Sequence, residues 1–226
     1  KEVVFQHGSF ILGANTHSER ETGILVNPSY MSPAWYHIFA EIDKEHPWLN
    51  LVSDTYKTLS SIAHSNVYGK GKLVPDWIIV GKDGSILPAD SYTTQNAKLY
   101  GYDAFRTYFR VAQDVVWYGD KQGEDFLLYT APVFEEQWQK NHSFPAVSYT
   151  DGKAQLDFPD TATAVGAASV LFATDNSLTN DVFTERFENE YRPFEGGWGQ
   201  GDNYFRQNWA WFGTALLTDQ FPNLWE

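Results

Sequence analysis

The segment GYDAFRTYFRVAQDVVWYGD at 101–120 limits the fold of this chain more than any other. Its apolar residues recur with helical spacing and predict a helix over 102–118, which Gly119-Asp120 ends. Charged residues spaced by three or four share one face of that helix. They are Asp103, Arg106, Arg110 and Asp114. A charged row flanked by so much apolar surface predicts a helix inside the protein or along a cleft.

Two interpretations of the charged row stay open at the level of sequence. Asp103 could be a catalytic carboxylate that Arg106 keeps ionised, because a nearby positive charge favours the charged form of an acid. The alternative is a ladder of ion pairs that only stabilises the helix.

Six further helices are predicted from apolar residues with a 3.6-residue period and from capping residues such as Ser32 and Asp160. They cover 33–43, 47–64, 122–138, 161–174, 180–191 and 203–217. Residues 1–31, most of 65–99 and the Gly-rich stretch 195–202 read as loops with short extended pieces.

Short β structure is predicted at two places. VPDWIIV at 74–80 is typical of a short strand, and Asp151-Gly152 predicts a hairpin between 145–149 and 153–157. With no linker and no internal repeat, we expect one all-α domain over 1–226 with minor β hairpins.

The composition excludes several classes of function. A net charge of −13 over 226 residues argues against a nucleic-acid partner and against an anionic membrane surface. No apolar run approaches the roughly 20 residues that span a bilayer. The chain has no cysteine, so disulfides, zinc–thiolate sites and cysteine nucleophiles are excluded.

The aromatic content points to carbohydrate as one candidate ligand. The chain has 9 Trp, 13 Tyr and 16 Phe. Most of these are explained as core residues, but exposed aromatic rings also stack on the flat C–H faces of sugars while carboxylates bind the hydroxyl groups. Glycosidic bond cleavage needs two carboxyl groups, and Asp103 is a candidate for the one that stays ionised.

Other candidate site residues surround this carboxylate, and each has a structural alternative. Tyr30 follows the turn Asn27-Pro28-Ser29 and could position a water molecule, or it could be a core residue of a helix-capping turn. Asp76 and Trp77 could bind and stack on a sugar, or be a turn acid beside a buried ring. Tyr102 precedes Asp103, and Tyr204 begins the last helix beside polar groups that suggest a cleft, although that helix also has core spacing.

We expect no metal site and no cofactor. The six His residues show no ligand-type pairing along the sequence. Asp175-Asn176-Ser177 resembles the start of a calcium loop, but Asn180 stands where the loop needs Gly and Arg186 where it needs Glu.

Four stretches in order resemble the bacterial glycoside hydrolases of family 8. They are NPSYMSPAWYHIFA at 27–40, LVPDW at 73–77, GYDAFRTYFRVAQDVVWYGD at 101–120 and the aromatic helix at 203–217. The family consists of endoglucanases (cellulases) with relatives that act on xylan, chitosan and mixed-linkage glucans. The resemblance implies an (α/α)6 barrel, of which this chain supplies roughly the C-terminal half.

The resemblance also implies roles for the candidate residues in an inverting reaction. Asp103 stands where the family has its general base, Arg106 would hold that carboxylate, and Tyr30 would orient the attacking water. Tyr102 and Trp77 would line the sugar cleft, with Asp76 and Tyr204 as further substrate contacts.

Two departures from the family pattern shape the expectation. The family's general acid is a Glu in a Ser-Glu-Gly type motif, and Ser18-Glu19-Arg20 lacks the Gly and is misplaced. We therefore expect the acid on an N-terminal segment of the same enzyme, which acts as this chain's partner. Tyr108 stands where many members have Pro, which we expect to alter only local helix geometry.

The expected activity is hydrolysis of β-1,4-glucan by a secreted bacterial endoglucanase. Xylan, chitosan or mixed-linkage glucan are alternative substrates of the same site. A rival from another class is a half-barrel that binds glycans without cleaving them. A third is a purely structural helical domain, in which Asp103 and Arg106 form an internal ion pair.

Overall fold

Helices carry most of the fold in the computed structural model, which describes residues 2–5, 8–11, 16–89, 97–199 and 203–225. The α-helices of these residues are α1 Pro33–Ile42, α2 Trp48–His64, α3 Phe105–Tyr118, α4 Lys121–Asn141, α5 Thr161–Ala173, α6 Thr179–Phe183 and α7 Tyr204–Leu217. Each lies where the sequence predicts a helix, so the prediction of seven helices is confirmed. None of the helices in the described part of the chain has the length and apolar character to cross a membrane.

Capping residues explain where several helices begin and end. Asp120 accepts hydrogen bonds from the backbone N–H groups of Gln122 and Gly123 at the start of α4. Asp160 and Asn203 cap α5 and α7 in the same way. Gly119 ends α3 in the left-handed conformation with φ of 64°, which a glycine adopts without steric cost.

Helix α5 lies at the centre of the helical packing, between α3 and α7. Its residues from Thr161 to Leu171 are all buried, which is possible because Ala, Gly, Ser and Thr dominate its sequence. A Cβ atom built on Gly166 would lie 2.5 Å from the Tyr100 hydroxyl and 2.9 Å from the Phe105 carbonyl oxygen. Only glycine therefore allows α5 to approach α3 so closely.

Aromatic side chains fill the core beside α3 and α4, which accounts for part of the high aromatic content. Tyr108, Phe134 and Trp138 are buried almost completely. The ring of Tyr108 stacks on Phe126 with centroids 5.6 Å apart and meets Phe134 edge-on at 5.4 Å. The Trp138 indole N–H donates to Asp181 over 2.7 Å, so even this buried ring keeps its polar atom paired.

In the described part of the chain, four small antiparallel sheets accompany the helices. Their strands are β1 Glu2–Phe5, β2 Gly8–Ile11, β3 Ser18–Glu19, β4 Gly23–Val26, β5 Ile78–Gly81, β6 Ile86–Pro88, β7 Leu99–Tyr100, β8 Val147–Tyr149, β9 Ala154–Leu156, β10 Tyr191–Arg192 and β11 Gly197–Trp198. The orders are β1-β2, β3-β4-β5-β6, β7-β8-β9 and β10-β11. In the largest sheet Ile24 pairs with Val80 and Val80 pairs with Ile86.

The structure corrects several sequence predictions in these regions. The strand predicted at 74–80 is β5 and begins only at Ile78, whereas the extended pieces expected in the stretches read as loops, whose positions were not predicted, are the short strands β1 to β4, β6 and β7. These strands have four residues or fewer and β4 pairs with a segment more than fifty residues away, so no local period marks them. The predicted hairpin after Ser143 is confirmed by the pairing of β8 with β9.

Two further boundaries differ from the predictions near the C-terminus. The helix predicted at 180–191 is α6, then a π-helical turn Thr184–Glu188, and Tyr191 already belongs to β10. The predicted loop 195–202 contributes β11 to that hairpin, and its residues 200–202 lie outside the described residues. Helix α4 runs to Asn141, three residues beyond the prediction.

The close approach of α5 to α3 predicts that Gly166→Ala destabilises the protein. The added methyl group would overlap the Phe105 backbone, and overpacking of this kind costs about 1–3 kcal/mol, more than the helix propensity that alanine gains. Urea unfolding followed by circular dichroism measures the change. The exposed Ser60→Ala on α2 is the control and should stay within about 0.5 kcal/mol of the wild type. An unchanged midpoint for Gly166→Ala would contradict the packing described here.

Candidate active site

Asp76 fixes the chain at the start of α3. Its Oδ1 accepts hydrogen bonds from the backbone N–H groups of Gly101 at 3.1 Å, Asp103 at 3.2 Å and Ala104 at 2.7 Å. The first amides of a helix lack partners within the helix, and a carboxylate satisfies them well. Helix α3 therefore begins at Phe105 instead of the predicted 102, and Asp103 lies on the turn that leads into it.

Asp103 and Arg106 form an ion pair at this end of α3. The Arg106 Nε also donates to the Asp103 backbone carbonyl over 3.3 Å, so the guanidinium contacts both the side chain and the backbone of Asp103. The side chains keep 33% and 21% of their surface exposed. The carboxylate is thus accessible from solvent while its counter-ion is fixed beside it, which favours its charged form.

Burial shifts the pKa values of two charged groups next to Asp103. It lowers the pKa of Arg106, against the opposing effect of the nearby Asp76 carboxylate and Tyr30 phenol. It raises the pKa of Asp76 to about 7, although the Ala104 and Gly101 amides and Arg106 favour the charged form. Perturbed groups of this kind cluster at functional sites, and these residues surround Asp103.

Tyr30 ends a 3-10 turn, Pro28–Tyr30, that is anchored from three directions. The Asn27 side chain accepts from the Ser29 N–H over 3.0 Å, and the Tyr36 hydroxyl donates to the Tyr30 carbonyl over 3.2 Å. Arg110 donates to the Ser29 carbonyl, which ties the turn to α3. The predicted turn is confirmed, and Arg110 has a structural role in holding it.

The rings of His17 and Trp77 stand beside Tyr30. The Trp77 ring meets Tyr30 edge-on at 6.0 Å and His17 edge-on at 5.2 Å between centroids. Trp77 is partly exposed and His17 is exposed, so this aromatic cluster, defined by His17, Tyr30 and Trp77, borders solvent. The sequence analysis missed His17, because no local pattern links it to residues 13 and 60 positions away.

A second polar group lies beside Tyr102. The Tyr102 hydroxyl donates to Asp160 Oδ2 over 3.2 Å, and Arg206 from α7 reaches the same oxygen at 3.3 Å. Burial and the Asp160 charge raise the pKa of Tyr102 to about 12, so its hydroxyl keeps its proton at neutral pH. Asp160 was foreseen only as a helix cap, and Arg206 not at all.

The structure thus brings most of the predicted site residues together. Asp76, Asp103, Arg106, Tyr30 and Trp77 form one group, and Tyr102 directly precedes Asp103. Tyr204 is 79% exposed at the start of α7, and none of the described ring contacts joins it to that group. One oxygen of Asp76 is committed to the start of α3, a role that the sequence analysis did not foresee. The substrate contacts of Asp76 and Tyr204 stay predictions.

Tyr108 on α3 holds the segment that carries Asp76 and Trp77. Its buried phenol oxygen accepts a hydrogen bond from the Val74 N–H over 3.0 Å, two residues before Asp76. The expectation that this residue affects only local helix geometry was wrong, because a proline here could not make the contact.

Comparison with known proteins decides the family. The sequence profile of glycosyl hydrolases family 8 matches residues 1–218. This chain belongs to that family. Endoglucanase A of Acetivibrio thermocellus is 33% identical over 221 residues, covering 96% of this chain and 42% of the relative. Endoglucanase 2 of Ruminiclostridium josui is 28% identical over 212 residues, covering 89% and 39%. The family 8 chain therefore spans less than half the length of these relatives.

The fold agrees with this assignment. The apo structure of a β-1,3-1,4-glucanase from Paenibacillus superposes with a TM-score of 0.73 at 17% identity, over 87% of this chain and 50% of the other. Family 8 enzymes form an (α/α)6 barrel, and the seven helices described here correspond to part of one. The predicted fold class is confirmed.

The raised pKa of Asp76 predicts a pH-dependent stability. The folded state holds the Asp76 proton more tightly than the unfolded chain does, so the free energy of unfolding should fall as pH rises from about 4 to 7. Each such proton contributes a slope of up to about 1.4 kcal/mol per pH unit. In Asp76→Asn the slope should be smaller, although not zero because Asp114 is also perturbed. Urea unfolding at several pH values measures it.

The exposed Asp157→Asn is the control variant for this series, because it makes the same Asp-to-Asn change at the surface. An Asp76→Asn protein with the wild-type slope would show that Asp76 does not titrate in this range.

Proposed function

We propose that this chain is part of an inverting endo-β-1,4-glucanase in which Asp103 is the general base. The observation that carries the proposal is a carboxylate one third exposed, paired with Arg106 and held at the start of α3, beside a solvent-facing cluster of aromatic rings. Relatives named endoglucanases support the substrate class. By the same reasoning, residues 1–226 form a partial catalytic domain.

The arrangement suits a single displacement at the anomeric carbon. A water molecule between the Tyr30 hydroxyl and the Asp103 carboxylate loses a proton to Asp103 as its oxygen attacks the anomeric carbon. The glycosidic bond breaks on the opposite face, and a carboxylic acid donates its proton to the leaving oxygen. Arg106 keeps Asp103 ionised before the step, so the base is ready to accept the proton.

The general acid is proposed to be a Glu on an N-terminal segment of the same enzyme. The support for this partner is that the chain matches only 39% to 42% of its relatives' lengths and lacks the Ser-Glu-Gly type motif. For inversion, the acid and Asp103 should stand about 6.5–9.5 Å apart to admit the water.

The aromatic cluster gives this site a surface for sugar rings. His17 and Trp77 present ring faces and edges to solvent near the water position, and Tyr102 presents a protonated hydroxyl. Asp76 and Tyr204 are proposed as further contacts. Xylan, chitosan and mixed-linkage glucan would contact the same aromatic cluster, and the enzyme would distinguish them by contacts made elsewhere. A polymeric substrate does not enter a bacterial cell, so we also propose that the enzyme is secreted.

Replacing the proposed base should abolish turnover. Asp103→Asn in the protein that carries this chain is expected to lower kcat at least about 1,000-fold on soluble cellulose derivatives with its circular dichroism unchanged, because the amide cannot accept the water proton. Reducing-sugar release measures the rate, and proton NMR of the first products shows whether the α anomer forms. Asp157→Asn, exposed and remote, is the matched control and should retain full activity.

Three outcomes would contradict the proposal. Near-normal activity of folded Asp103→Asn would contradict the assignment of Asp103 as the base. Initial formation of the β anomer would show that the reaction does not invert the anomeric carbon. Sugar binding without hydrolysis by the complete protein would favour the glycan-binding alternative.

The proposed water position makes a separate prediction for Tyr30. Tyr30→Phe removes the hydroxyl and keeps the ring in its contact with Trp77, so kcat should fall about 100-fold with little change in KM. Tyr191→Phe in the β10–β11 hairpin, where the described ring contacts join Tyr191 only to Trp198, is the control and should behave as wild type. A rise in KM at unchanged kcat would instead make Tyr30 a substrate-binding residue.

A further inference from the structure

A second group of ionisable side chains lies at the opposite end of α3 from Asp103. His37 on α1, Asp114 on α3 and Asp120 at the start of α4 place one ligand atom each within 4.8 Å of one another. We name these three residues the His37 cluster. Asp114 follows Asp103 by eleven residues, which is about 16 Å along a helix, so the cluster is separate from the proposed catalytic site.

One atom of this cluster is buried without a partner. Asp114 is fully buried, and its Oδ1 makes no hydrogen bond. The nearest candidate is His37 Nε2 at 3.6 Å, beyond hydrogen-bond range, and this nitrogen is also buried and unpaired. A buried carboxylate oxygen without a donor costs free energy unless something else binds it.

The charge of the cluster points to a cation. Two carboxylates face each other, and none of the ion pairs among the described residues joins a Lys or Arg to Asp114 or Asp120; the adjacent Lys121 pairs with Glu124. The fully buried Asp114 carboxylate therefore has no positive side chain beside it among the described residues other than His37, if that imidazole is protonated. A divalent ion would supply that charge.

The geometry points to the kind of ion. A tetrahedral zinc ion with ligands at about 2.05 Å holds its ligand atoms about 3.3 Å apart, close to the 3.6 Å between His37 and Asp114. One imidazole nitrogen and two carboxylate oxygens suit zinc better than they suit calcium or magnesium, because those two ions prefer sites made only of oxygen ligands. His37 is 25% exposed, so it can adjust and the ion can enter.

Supporting contacts hold the proposed ligands in place. The Tyr56 hydroxyl donates to the other oxygen of Asp114, which leaves Oδ1 directed toward His37. Asp120 Oδ1 is fixed by the amides of Gln122 and Gly123 at 2.8 and 3.0 Å. The Tyr118 ring packs on the His37 ring with centroids 4.3 Å apart. Outer contacts of this kind are typical of metal sites.

We propose that His37, Asp114 and Asp120 bind one zinc-type divalent cation, with water as the remaining ligand. The ion would join α1, α3 and the start of α4 and stabilise the helical packing without a part in catalysis. The sequence analysis expected no metal, because His37 and Asp114 are 77 residues apart and only the fold brings them together.

Zinc titration of the metal-free protein tests the proposal. After treatment with EDTA and dialysis, competition with a chromophoric chelator should show one site with Kd in the micromolar range or tighter. His37→Gln and Asp114→Asn should each weaken it at least about 10-fold. His64→Gln, an exposed histidine on α2, is the matched control and should bind as wild type. At 100 times Kd, zinc should raise the wild-type Tm by about 5–10 °C and leave His37→Gln unchanged.

The proposal fails if the wild type binds no zinc below about 1 mM. It also fails if His37→Gln binds as tightly as His64→Gln, because adventitious histidine binding would then explain the affinity. Should Asp114→Asn not fold, the partly exposed His37→Gln still decides between these results.

Discussion

Three backbone N–H groups at the start of α3 donate to a single oxygen of Asp76, and the position of the whole site follows from that contact. A helix start needs acceptors for its free amides, and here the acceptor comes from a segment 25 residues earlier. A Cβ atom on Gly101 would lie only 3.0 Å from Asp76 Oδ2, so the glycine allows this approach. Because the same segment carries Trp77, the contact places the ring and Asp103 side by side.

The segment before α3 is itself fixed by the helix. Tyr108 accepts a hydrogen bond from the Val74 N–H, and Asp76 N–H donates to the Leu99 carbonyl over 2.8 Å. Helix and segment thus hold each other at two points, and the segment is also joined to β7 through Leu99. A site built on such mutual contacts keeps its side chains in place better than one carried by a free loop.

The sequence predicted the helices of this fold well because their apolar faces repeat every 3.6 residues over ten or more positions. It could not locate β4, whose four buried residues carry no alternation and pair with a strand far along the chain, and it placed the start of β5 four residues too early. For the site, Asp103, Arg106 and Tyr30 were named as candidates from helical spacing and a turn, and a resemblance over four stretches implied their roles. His17 and Arg206 were missed because each joins the site through contacts across many residues.

The charged row on α3 turns out to consist of side chains with different partners. Asp103 pairs with Arg106, whereas Arg110 donates to the backbone of the Tyr30 turn. Asp114 faces α1 and α2, where it meets His37 and accepts from Tyr56. The four charged residues therefore do not form one ladder of ion pairs, and each has a role set by the groups that it contacts.

The contrast between Asp103 and Asp114 is the reason that we propose different roles for two carboxylates on or beside one helix. A general base must be ionised and reachable by water, and the fixed arginine and the one third of its surface that is exposed suit Asp103 to the proposed role. Asp114 is fully buried with no arginine or lysine partner among the described residues. Desolvation then makes its negative charge costly, and either a proton or a metal ion must offset it. A carboxylate in that position is poorly suited to accept protons during turnover and well suited to bind a cation.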